Sequence, residues 1–202
     1  MRVAVVDSGV GNVPNAVRGL TRAGADVVLA RDGRALEGAE RVVLPGVGAF
    51  PAAMARLHAT GLAGAVCSAA ARGVPVLGIC LGHQLLFEAS DEFGPTPGLA
   101  LLPGRVVALP AAARVPHTGW SRITPVRPDP LLAGLEDGAW MYFVHSFVAE
   151  PRPSDLLATV PFGGTEVCAA ARRGPVHGVQ FHPEKSAGAG ARLLANFLEL
   201  AP

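Results

Sequence analysis

The sequence is poor in charged side chains, in cysteine and in aromatic residues. Charged residues make up 16% of the 202 residues and aromatic residues 5%, whereas about 25% charged is typical of globular domains. A coiled coil needs far more charge, and a disordered chain has far fewer apolar side chains than the 50% present here. The net charge is +1 and there is no basic tract, which argues against nucleic-acid binding.

Long hydrophobic runs are also missing. No apolar stretch approaches the roughly 18 residues that a membrane span needs. The first apolar run, residues 3–6, ends at Asp7, so it is too short for a signal peptide and predicts a buried strand. The three cysteines, Cys67, Cys80 and Cys168, are too few for a disulfide framework. We therefore expect a cytoplasmic protein with no membrane and no nucleic acid among its partners.

The first half of the chain alternates short apolar runs with helical stretches. This alternation predicts βαβ units and a parallel sheet that is covered on both faces. The predicted strands are residues 3–6, 27–29, 42–44 and 74–79, and the predicted helices are 12–23, 50–72 with a break near residue 60, and 81–89.

The second half is richer in closely spaced proline and glycine, and it predicts short strands in hairpins. The predicted strands are residues 106–109, 120–123, 141–148, 156–160, 167–171 and 176–181, and a last helix spans 190–200. A chain of this length is expected to bury roughly 70% of its unfolded surface as one domain. We therefore predict a single domain over residues 1–202, an α/β three-layer sandwich with a mostly parallel sheet and a β-rich C-terminal half.

One cysteine has the surroundings of a nucleophile. Cys80 lies between Gly78 and Gly82, where a predicted strand meets a predicted helix. Such a strained turn needs small neighbours, presents the side chain at the carboxyl end of a parallel strand, and favours the thiolate through the helix N-terminus. The alternative is a small buried cysteine among glycines, the commoner fate of this residue. Cys67 and Cys168 lack such flanks, and we expect them in the core.

A cysteine nucleophile needs a base, and His182 is the candidate among six histidines. It ends an apolar run, and Glu184 follows two residues later, after Pro183. In an extended segment, residues i and i+2 point the same way, so the carboxylate can fix the imidazole tautomer and support its charge. A surface His-Pro-Glu turn is the alternative, but both motifs at predicted strand ends favour catalysis.

A glycine-rich turn at residues 44–50 offers backbone N–H groups after the third predicted strand. Such groups can cradle a phosphate or line an oxyanion hole beside the thiolate. The Gly-Lys-Ser/Thr ending of a phosphate-binding loop is absent. Gly9 and Gly11 form half of a dinucleotide fingerprint, but Pro14 occupies the position of its third glycine. These departures weigh against phosphate and dinucleotide binding, and we expect neither a cofactor nor a metal.

Together these motifs resemble those of the class I, or triad, glutamine amidotransferases, and the resemblance covers the whole chain. Members have a Gly-x-Cys-x-Gly elbow and a late His-x-Glu; they hydrolyse the side-chain amide of glutamine through a thioester and pass the ammonia to a synthase. The resemblance narrows to the glutaminase subunits of imidazole glycerol phosphate synthase, from histidine biosynthesis. It rests on residues 45–50, 78–88, 115–120, 142–147 and 178–186, in that order.

The resemblance implies a class I amidotransferase-like, flavodoxin-like fold and a role for each matching residue. Cys80 would be the nucleophile, His182 the general base and then acid, and Glu184 its orienter. The oxyanion would be bound by the N–H of Leu81 and a backbone N–H within residues 46–48, that of Val47 after a peptide rearrangement. The glutamine substrate would be held by Gly48, Gln84, Glu92, Ser146 and Phe147. For Gln84 and Glu92 ordinary helix surface is the alternative.

A chain of this length leaves no room for a synthase that handles the ammonia acceptor. The resemblance implies a heterodimer with a (β/α)₈-barrel cyclase subunit, which makes imidazole glycerol phosphate and AICAR. The positions that match the partner-facing surface are Asn12, Asn15, Pro116, Trp120, Tyr142, His145 and Lys185. For Trp120 and Tyr142 core packing is the alternative, because aromatic residues serve both places.

Three positions depart from the family pattern, since Ser8, His83 and Thr118 stand where tyrosine, methionine and methionine are usual. Ser8 and Thr118 bear on the partner surface, and His83 is expected to face away from Cys80. One alternative is a glutaminase subunit for anthranilate, aminodeoxychorismate or pyridoxal phosphate synthesis, against which residues 115–120 and 142–147 argue. Another is a non-enzymatic cysteine-elbow stress or chaperone protein, which generally lacks the His-Pro-Glu motif.

Overall fold

The computed structural model describes residues 1–7, 9, 12–111, 113–135 and 137–201, so Ser8 lies outside the described residues. The strands are β1 (Arg2–Val6), β2 (Asp26–Ala30), β3 (Arg41–Gly46), β4 (Val76–Cys80), β5 (Phe87–Ser90), β6 (Thr96–Pro97), β7 (Leu102–Ala108), β8 (His117–Arg122), β9 (Thr124–Pro125), β10 (Trp140–His145), β11 (Phe147–Pro151), β12 (Leu156–Phe162), β13 (Thr165–Arg173) and β14 (Val176–Val179). The helices are α1 (Val13–Arg22), α2 (Phe50–Ala59), α3 (Leu62–Ala71), α4 (Leu81–Leu85) and α5 (Ala187–Glu199).

An eight-stranded sheet forms the centre of the fold, in the order β2-β1-β3-β4-β14-β13-β12-β9. The strands from β2 to β14 pair in parallel, and β13, β12 and β9 continue the sheet in antiparallel pairing. Every residue of β3, β4 and β14 is buried, as expected where a parallel sheet is covered on both faces. The predicted α/β architecture with a mostly parallel sheet is confirmed.

The β-rich C-terminal half adds two smaller sheets. One has the order β11-β7-β5-β6, and the other is a two-stranded antiparallel ribbon of β8 and β10, here called the β8–β10 ribbon. The single strand predicted over residues 141–148 was wrong, because β10 pairs with β8 as far as His145 and Phe147 pairs with Ala108 in the other sheet. An apolar run does not reveal that the chain changes its pairing partner within it.

The predicted helix over residues 81–89 was also wrong beyond its first half. Helix α4 ends at Leu85, and Phe87 begins β5, where it pairs with Leu102. A short apolar run satisfies the pattern of a buried strand as well as that of a helix, so periodicity alone does not separate the two. The shorter α4 still begins directly after β4, at the predicted position of the elbow.

The remaining helices follow the predicted pattern closely. The break near residue 60 separates α2 from α3 at Gly61, which has a φ of 69°, a conformation that glycine adopts without steric cost. Helix α5 buries Leu193, Leu194, Phe197 and Leu198, as predicted, although it begins at Ala187. Among the described residues, no helix combines the length and the apolar character needed to cross a bilayer.

Candidate active site

The site lies at the carboxyl ends of three neighbouring parallel strands. Strand β4 pairs with β3 on one side and with β14 on the other. Cys80 is the last residue of β4, Gly46 pairs with it at the end of β3, and His182 lies three residues beyond the end of β14. Open parallel sheets place their ligands at this edge. The sheet therefore brings the candidate nucleophile and the candidate base to adjacent strand ends.

The two glycines around Cys80 are required by close packing of α4 onto the sheet. A Cβ at residue 82 would overlap the carbonyl oxygen of Leu44, and a Cβ at Gly78 would lie 2.6 Å from the carbonyl oxygen of Gly82. Cys80 itself has φ 55° and ψ −111°, a strained conformation for a non-glycine residue. Backbone strain at this position is characteristic of a nucleophile elbow.

His182 and Glu184 form a buried pair. Nδ1 of His182 lies 2.8 Å from Oε1 of Glu184, and both side chains are 2% exposed. A carboxylate only accepts, so Nδ1 carries a proton and Nε2 is the nitrogen available to the pocket. Nε2 has no hydrogen bond of normal geometry among the described residues. Asn12 Nδ2 donates to the same Glu184 oxygen at 3.5 Å.

The surroundings of His182 favour its charged form. Burial lowers its pKa, but the interactions with Cys80 and Glu184 outweigh burial and raise the pKa from its usual value near 6.5 to about 9. The backbone of His182 is held as well, since its N–H donates to the carbonyl oxygen of Tyr142 at 2.8 Å. Ser186 Oγ donates to the His182 carbonyl oxygen at 2.6 Å. The site thus presents an oriented imidazolium beside a cysteine.

A pocket of about 400 Å³ opens at this point. It is lined by Val47, Gly48, Cys80, Leu81, Gln84, Glu92, Pro116, Val144, His145, Ser146, Phe147 and His182. The residues predicted for catalysis, for the oxyanion and for the substrate therefore converge on one cavity, with Glu184 behind His182. Among the described residues, no group of three or more metal-ligating side chains is arranged to hold a metal.

The loop over residues 46–48 lies against the beginning of α4. A Cβ at Gly46 would lie 3.0 Å from both the backbone nitrogen of Gly82 and Cβ of Leu81. Gly48 has a φ of 100° with open space around it, and Val47 is 40% exposed. Leu81 is the first residue of the helix, where N–H groups have no acceptor within the helix. Backbone donors of the loop and of the helix thus border the same cavity.

Gln84 and Glu92, the two predicted substrate residues for which helix surface was the alternative, are both buried. Gln84 is 5% exposed, and its Nε2 donates to the carbonyl oxygen of Phe147 at 2.9 Å. Glu92 is 9% exposed, and its Oε2 accepts from the N–H of Phe50, the first residue of α2, at 2.7 Å. Each side chain is held by backbone and still lines the pocket.

Sequence reasoning missed Gln180, which is fully buried beside the nucleophile. Its Nε2 lies 3.9 Å from Sγ of Cys80, and its Oε1 accepts from Nε2 of Gln84 at 3.0 Å. The i, i+2 rule that relates His182 to Glu184 also places residue 180 on the side of His182, so the signal was present in the sequence.

His83, which stands where the family usually has methionine, does not line the pocket. His83 is fully buried, its Nε2 lies 4.0 Å from Sγ of Cys168, and its ring meets Phe87 edge-on with centroids 5.2 Å apart. A Cβ at Gly178 would overlap its Nδ1. Burial, with a smaller electrostatic contribution from His145, lowers its pKa to about 3. His83 thus faces away from Cys80, as expected.

His145, predicted to face a partner, lines the pocket instead and contacts a second histidine, His117, a contact that the sequence did not predict. Nδ1 of His117 lies 3.0 Å from Nε2 of His145, and Nε2 of His117 lies 2.8 Å from Oγ of Ser121. Nδ1 of His145 lies 2.8 Å from the carbonyl oxygen of Phe147. Burial is the main cause that lowers the pKa of both rings, that of His145 to about 4. Both rings are therefore neutral near pH 7.

The β8–β10 ribbon presents aromatic side chains next to the site. Trp120 pairs with Tyr142 across the ribbon, with ring centroids 6.1 Å apart, and Trp120 is 50% exposed. Nζ of Lys185 lies 5.4 Å from the centroid of Tyr142. Core packing therefore does not account for Trp120. His145 lies on the buried face of the ribbon, whereas the other residues predicted to face a partner are exposed or half-buried: Asn12, Asn15, Pro116, Trp120, Tyr142 and Lys185.

Comparison with known proteins places these observations in a family. The family model for class-I glutamine amidotransferases matches residues 4–201. Proteins named imidazole glycerol phosphate synthase subunit HisH are similar over almost the whole length, with 46% identity in Moorella thermoacetica across 98% of this chain and 94% of that protein. The protein of the same name from Xylella fastidiosa is 50% identical, across 98% of this chain and 97% of that protein.

Solved structures show the same fold at lower identity. A crystal structure of a glutamine amidotransferase superposes with a TM-score of 0.77 at 22% identity, covering 98% of this chain and 97% of that one. The structure of PurLQS from Thermotoga maritima has a TM-score of 0.77 at 20% identity, with the same two coverages. The chain therefore belongs to the class I glutamine amidotransferases, and within them to the family of the HisH subunits of imidazole glycerol phosphate synthase.

Proposed function

We propose that this chain is the glutaminase subunit of imidazole glycerol phosphate synthase. It hydrolyses L-glutamine to glutamate and ammonia through a thioester on Cys80, and it delivers the ammonia to a cyclase subunit that makes imidazole glycerol phosphate and AICAR in histidine biosynthesis. The observation that carries the proposal is the buried His182–Glu184 pair next to Cys80 in one pocket. The names of the similar proteins, at 45–50% identity over nearly the whole chain, select this synthase.

The first half of the reaction consumes the amide. The sulfur of Cys80, as thiolate, attacks the side-chain carbonyl carbon of glutamine while His182 holds its proton on Nε2. Negative charge then develops on the carbonyl oxygen, where the N–H of Leu81 and that of Val47 stabilise it. His182 Nε2–H passes its proton to the departing nitrogen, so that ammonia leaves and a thioester remains on the sulfur.

The second half of the reaction hydrolyses the thioester and regenerates the free thiolate of Cys80. His182, now neutral, takes a proton from a water molecule, and the resulting hydroxide attacks the thioester carbonyl. The tetrahedral intermediate expels the thiolate of Cys80, and glutamate leaves. Glu184 exchanges no proton in either half; its 2.8 Å contact with Nδ1 keeps Nε2 directed to the reacting atoms.

The polar ends of the substrate match the walls of the pocket. The carboxylate of Glu92 attracts the α-ammonium group of glutamine, and Oε1 of Gln84 accepts a hydrogen bond from it, because Nε2 of Gln84 is already engaged with Phe147 and Gln180. The backbone of Ser146 and Phe147 lies where the α-carboxylate is held, and Gly48 leaves room for the ligand. These roles complete the proposed substrate site.

The partner surface in this proposal is the exposed face of the β8–β10 ribbon with the neighbouring Lys185. Exposed aromatic residues such as Trp120 dominate many protein interfaces. The partner is a (β/α)₈-barrel cyclase subunit, and the two form a heterodimer. A cytoplasmic location belongs to the same proposal, because a thiolate nucleophile has to stay reduced.

The experiment uses the chain together with purified cyclase subunit and its acceptor nucleotide. We expect product formation from glutamine with the wild-type chain, and from ammonium salts but not from glutamine with Cys80→Ser. A parallel sample with the acceptor subunit of anthranilate synthase should give no glutamine-dependent product. Ammonium-dependent product without any glutamine-dependent product in the wild-type sample would contradict the proposal, as would activation by the anthranilate partner.

A further inference from the structure

The carbonyl oxygen of Phe147 fixes the direction of a chain of buried amides. It lies 2.9 Å from Nε2 of Gln84 and 2.8 Å from Nδ1 of His145. A backbone carbonyl can only accept hydrogen bonds, so Gln84 has to present its NH₂ group to it, and His145 its Nδ1–H. The two lone pairs of the Phe147 oxygen are then both used.

The orientation of Gln84 determines that of Gln180. Nε2 of Gln84 lies 3.0 Å from the side-chain amide of Gln180. Since the second N–H of Gln84 donates in this contact, the atom of Gln180 that faces it has to be the oxygen, Oε1. The NH₂ group of Gln180 is thereby left on the other side, with Nε2 3.9 Å from Sγ of Cys80. The donor facing the sulfur therefore follows from the carbonyl of Phe147, two residues along the hydrogen-bond chain.

The contact between Nε2 of Gln180 and Sγ of Cys80 is shielded from water. Gln180 is fully buried, and Gln84 and Cys80 are 5% and 6% exposed, so little water competes for the sulfur. Sγ also lies 3.8 Å from the carbonyl oxygen of Val144. That carbonyl interacts favourably only with the thiol, which has a proton to donate, whereas the N–H of Gln180 interacts best with the thiolate. The two neighbours thus favour opposite protonation states of Cys80.

We propose that Gln180 is a further catalytic residue of the reaction proposed above, on which this inference rests. Its Nε2–H hydrogen-bonds the thiolate of Cys80, lowers the free energy of the nucleophilic form, and holds the sulfur in place for attack. Gln84 has a second role in this arrangement, because it orients Gln180 as well as lining the substrate pocket. Loss of the donor at residue 180 acts on the sulfur and leaves the binding of glutamine in place.

The test measures the sulfur directly, without glutamine. Cys80 is alkylated with iodoacetamide over the pH range in which thiols titrate, and its modification is followed by mass spectrometry separately from Cys67 and Cys168. For Gln180→Met, which keeps the length and removes the donor, we expect the midpoint of the rate profile to rise by about one pH unit. Gln180→Glu, which has a similar shape and places an acceptor beside the sulfur, should raise it further.

Two further variants separate this effect from a general loss of packing. Gln84→Met removes the group that orients Gln180, so it should shift the midpoint in the same direction. Asn196→Leu is the matched control, because Asn196 is also a buried amide, with Nδ2 2.8 Å from the carbonyl oxygen of Ala133. It should leave the alkylation profile unchanged. Circular dichroism identifies variants that are folded, and either Gln180 variant suffices for the test.

The second readout is glutamine hydrolysis with the partner present. For Gln180→Met we expect kcat to fall about tenfold with KM for glutamine little changed, in line with loss of one hydrogen bond to a charged group. An unshifted alkylation midpoint in a folded Gln180 variant would overturn the proposal, and so would a rise in KM alone. Failure of the proposed function would abolish hydrolysis in the wild type but would not remove the alkylation shift, so the two failures are distinguishable.

Discussion

His182 Nδ1 and Glu184 Oε1 lie 2.8 Å apart with both side chains almost completely buried. The pair is formed within three residues of chain, so its geometry depends on the local turn rather than on docking of distant segments. What the rest of the fold supplies is the sulfur: strand β4 ends at Cys80 next to β14, which leads into His182.

The first prediction concerns the nucleophile. Cys80→Ser should abolish glutamine hydrolysis and leave folding and partner binding intact, because only the thiol is replaced. A glutamine analogue with an electrophilic side chain should label Cys80 and spare the other two cysteines. Burial raises the pKa of Cys168 to about 12 and also raises that of Cys67, so neither forms thiolate readily. Near-normal activity of Cys80→Ser, or labelling elsewhere by mass spectrometry, would contradict the assignment.

The second prediction ranks the base against its orienter. His182→Ala should lower the steady-state rate by several orders of magnitude, because both proton transfers pass through this ring. Glu184→Gln should cost less, since the amide oxygen can still accept from Nδ1 at the observed 2.8 Å and only the charge is lost. Rates are measured with the cyclase partner present. A mild His182→Ala, or a larger loss for Glu184→Gln, would show that the roles are assigned incorrectly.

The third prediction concerns acid stability. The pKa of buried His83 is lowered from near 6.5 to about 3, so below pH 6.5 the unfolded chain binds a proton that the folded chain does not. Its contribution to stability is therefore present above pH 6.5 and is lost as the pH falls towards 3. His83→Met fills similar space without a titratable nitrogen.

Urea unfolding at several pH values measures this effect. The free energy of unfolding of His83→Met relative to wild type should increase by up to ~1.4 kcal/mol for each pH unit below 6.5. His58→Gln, at an exposed position on α2, is the matched control. Parallel curves for wild type and His83→Met would show that His83 does not stay neutral in the folded chain.

The fourth prediction concerns the elbow backbone. Gly82→Ala should destabilise the protein by more than ~3 kcal/mol or prevent folding, because the new Cβ would overlap the Leu44 carbonyl oxygen. Gly64→Ala is the matched control in α3, where a Cβ meets nothing within 4 Å. Alanine is the better helix former, so this variant should be stabilised by about 0.5–1 kcal/mol. The melting temperatures of both variants are measured by thermal unfolding. Equal melting temperatures would contradict the packing argument.

The fifth prediction concerns control by the partner. We expect the isolated chain to be a poor glutaminase that is activated by cyclase with bound acceptor nucleotide. Two glycines flank Val47, and Gly48 already has a φ of 100°, so the peptides of this loop can reorient at low cost. An absent oxyanion donor costs roughly 10²–10³ in rate, and partner binding can restore it as a population shift.

Hydrolysis is compared for the chain alone, with partner, and with partner plus acceptor nucleotide. Equal rates in the three samples would refute control by the partner. Lys185→Ala should reduce the stimulation, because Nζ lies 5.4 Å from the ring centroid of Tyr142 on the proposed partner surface. Tyr142→Phe keeps the ring and serves as the control. Undiminished stimulation in Lys185→Ala would leave control by the partner in place and remove Lys185 from it.

Local sequence patterns were enough to predict the elbow at Cys80 and the contact between His182 and Glu184. Gly78, Cys80 and Gly82 are constrained by contacts within a few residues and with the neighbouring strand, and the spacing of His182 and Glu184 follows from an extended chain. Such features depend on backbone geometry that short sequence patterns encode. The sheet order β3-β4-β14 could be anticipated only in part, because the pairing of β4 with β14 joins distant segments.

Features that depend on distant contacts were missed. Gln180 becomes a donor to the sulfur only because Phe147, on another strand, orients Gln84 between them. Likewise, the end of α4 at Leu85 depends on pairing of Phe87 with Leu102, which the apolar run itself does not show. A glutamine side chain can present either its oxygen or its NH₂ group to a neighbour, and the sequence does not show which. The surrounding hydrogen bonds determine which of the two faces the sulfur of Cys80.

The adjacency of β4 and β14 has a consequence for how such a protein changes over time. The register of this pair, in which Gly78 lies opposite Gly178 and Ile79 opposite Val179, sets the separation of the sulfur and the imidazole. The segment between these strands holds the whole β8–β10 ribbon, which takes no part in that pairing. A lineage can therefore remodel the proposed partner surface while the strand pairing that brings Cys80 next to His182 is kept, which would allow one ammonia source to be adapted to different synthases.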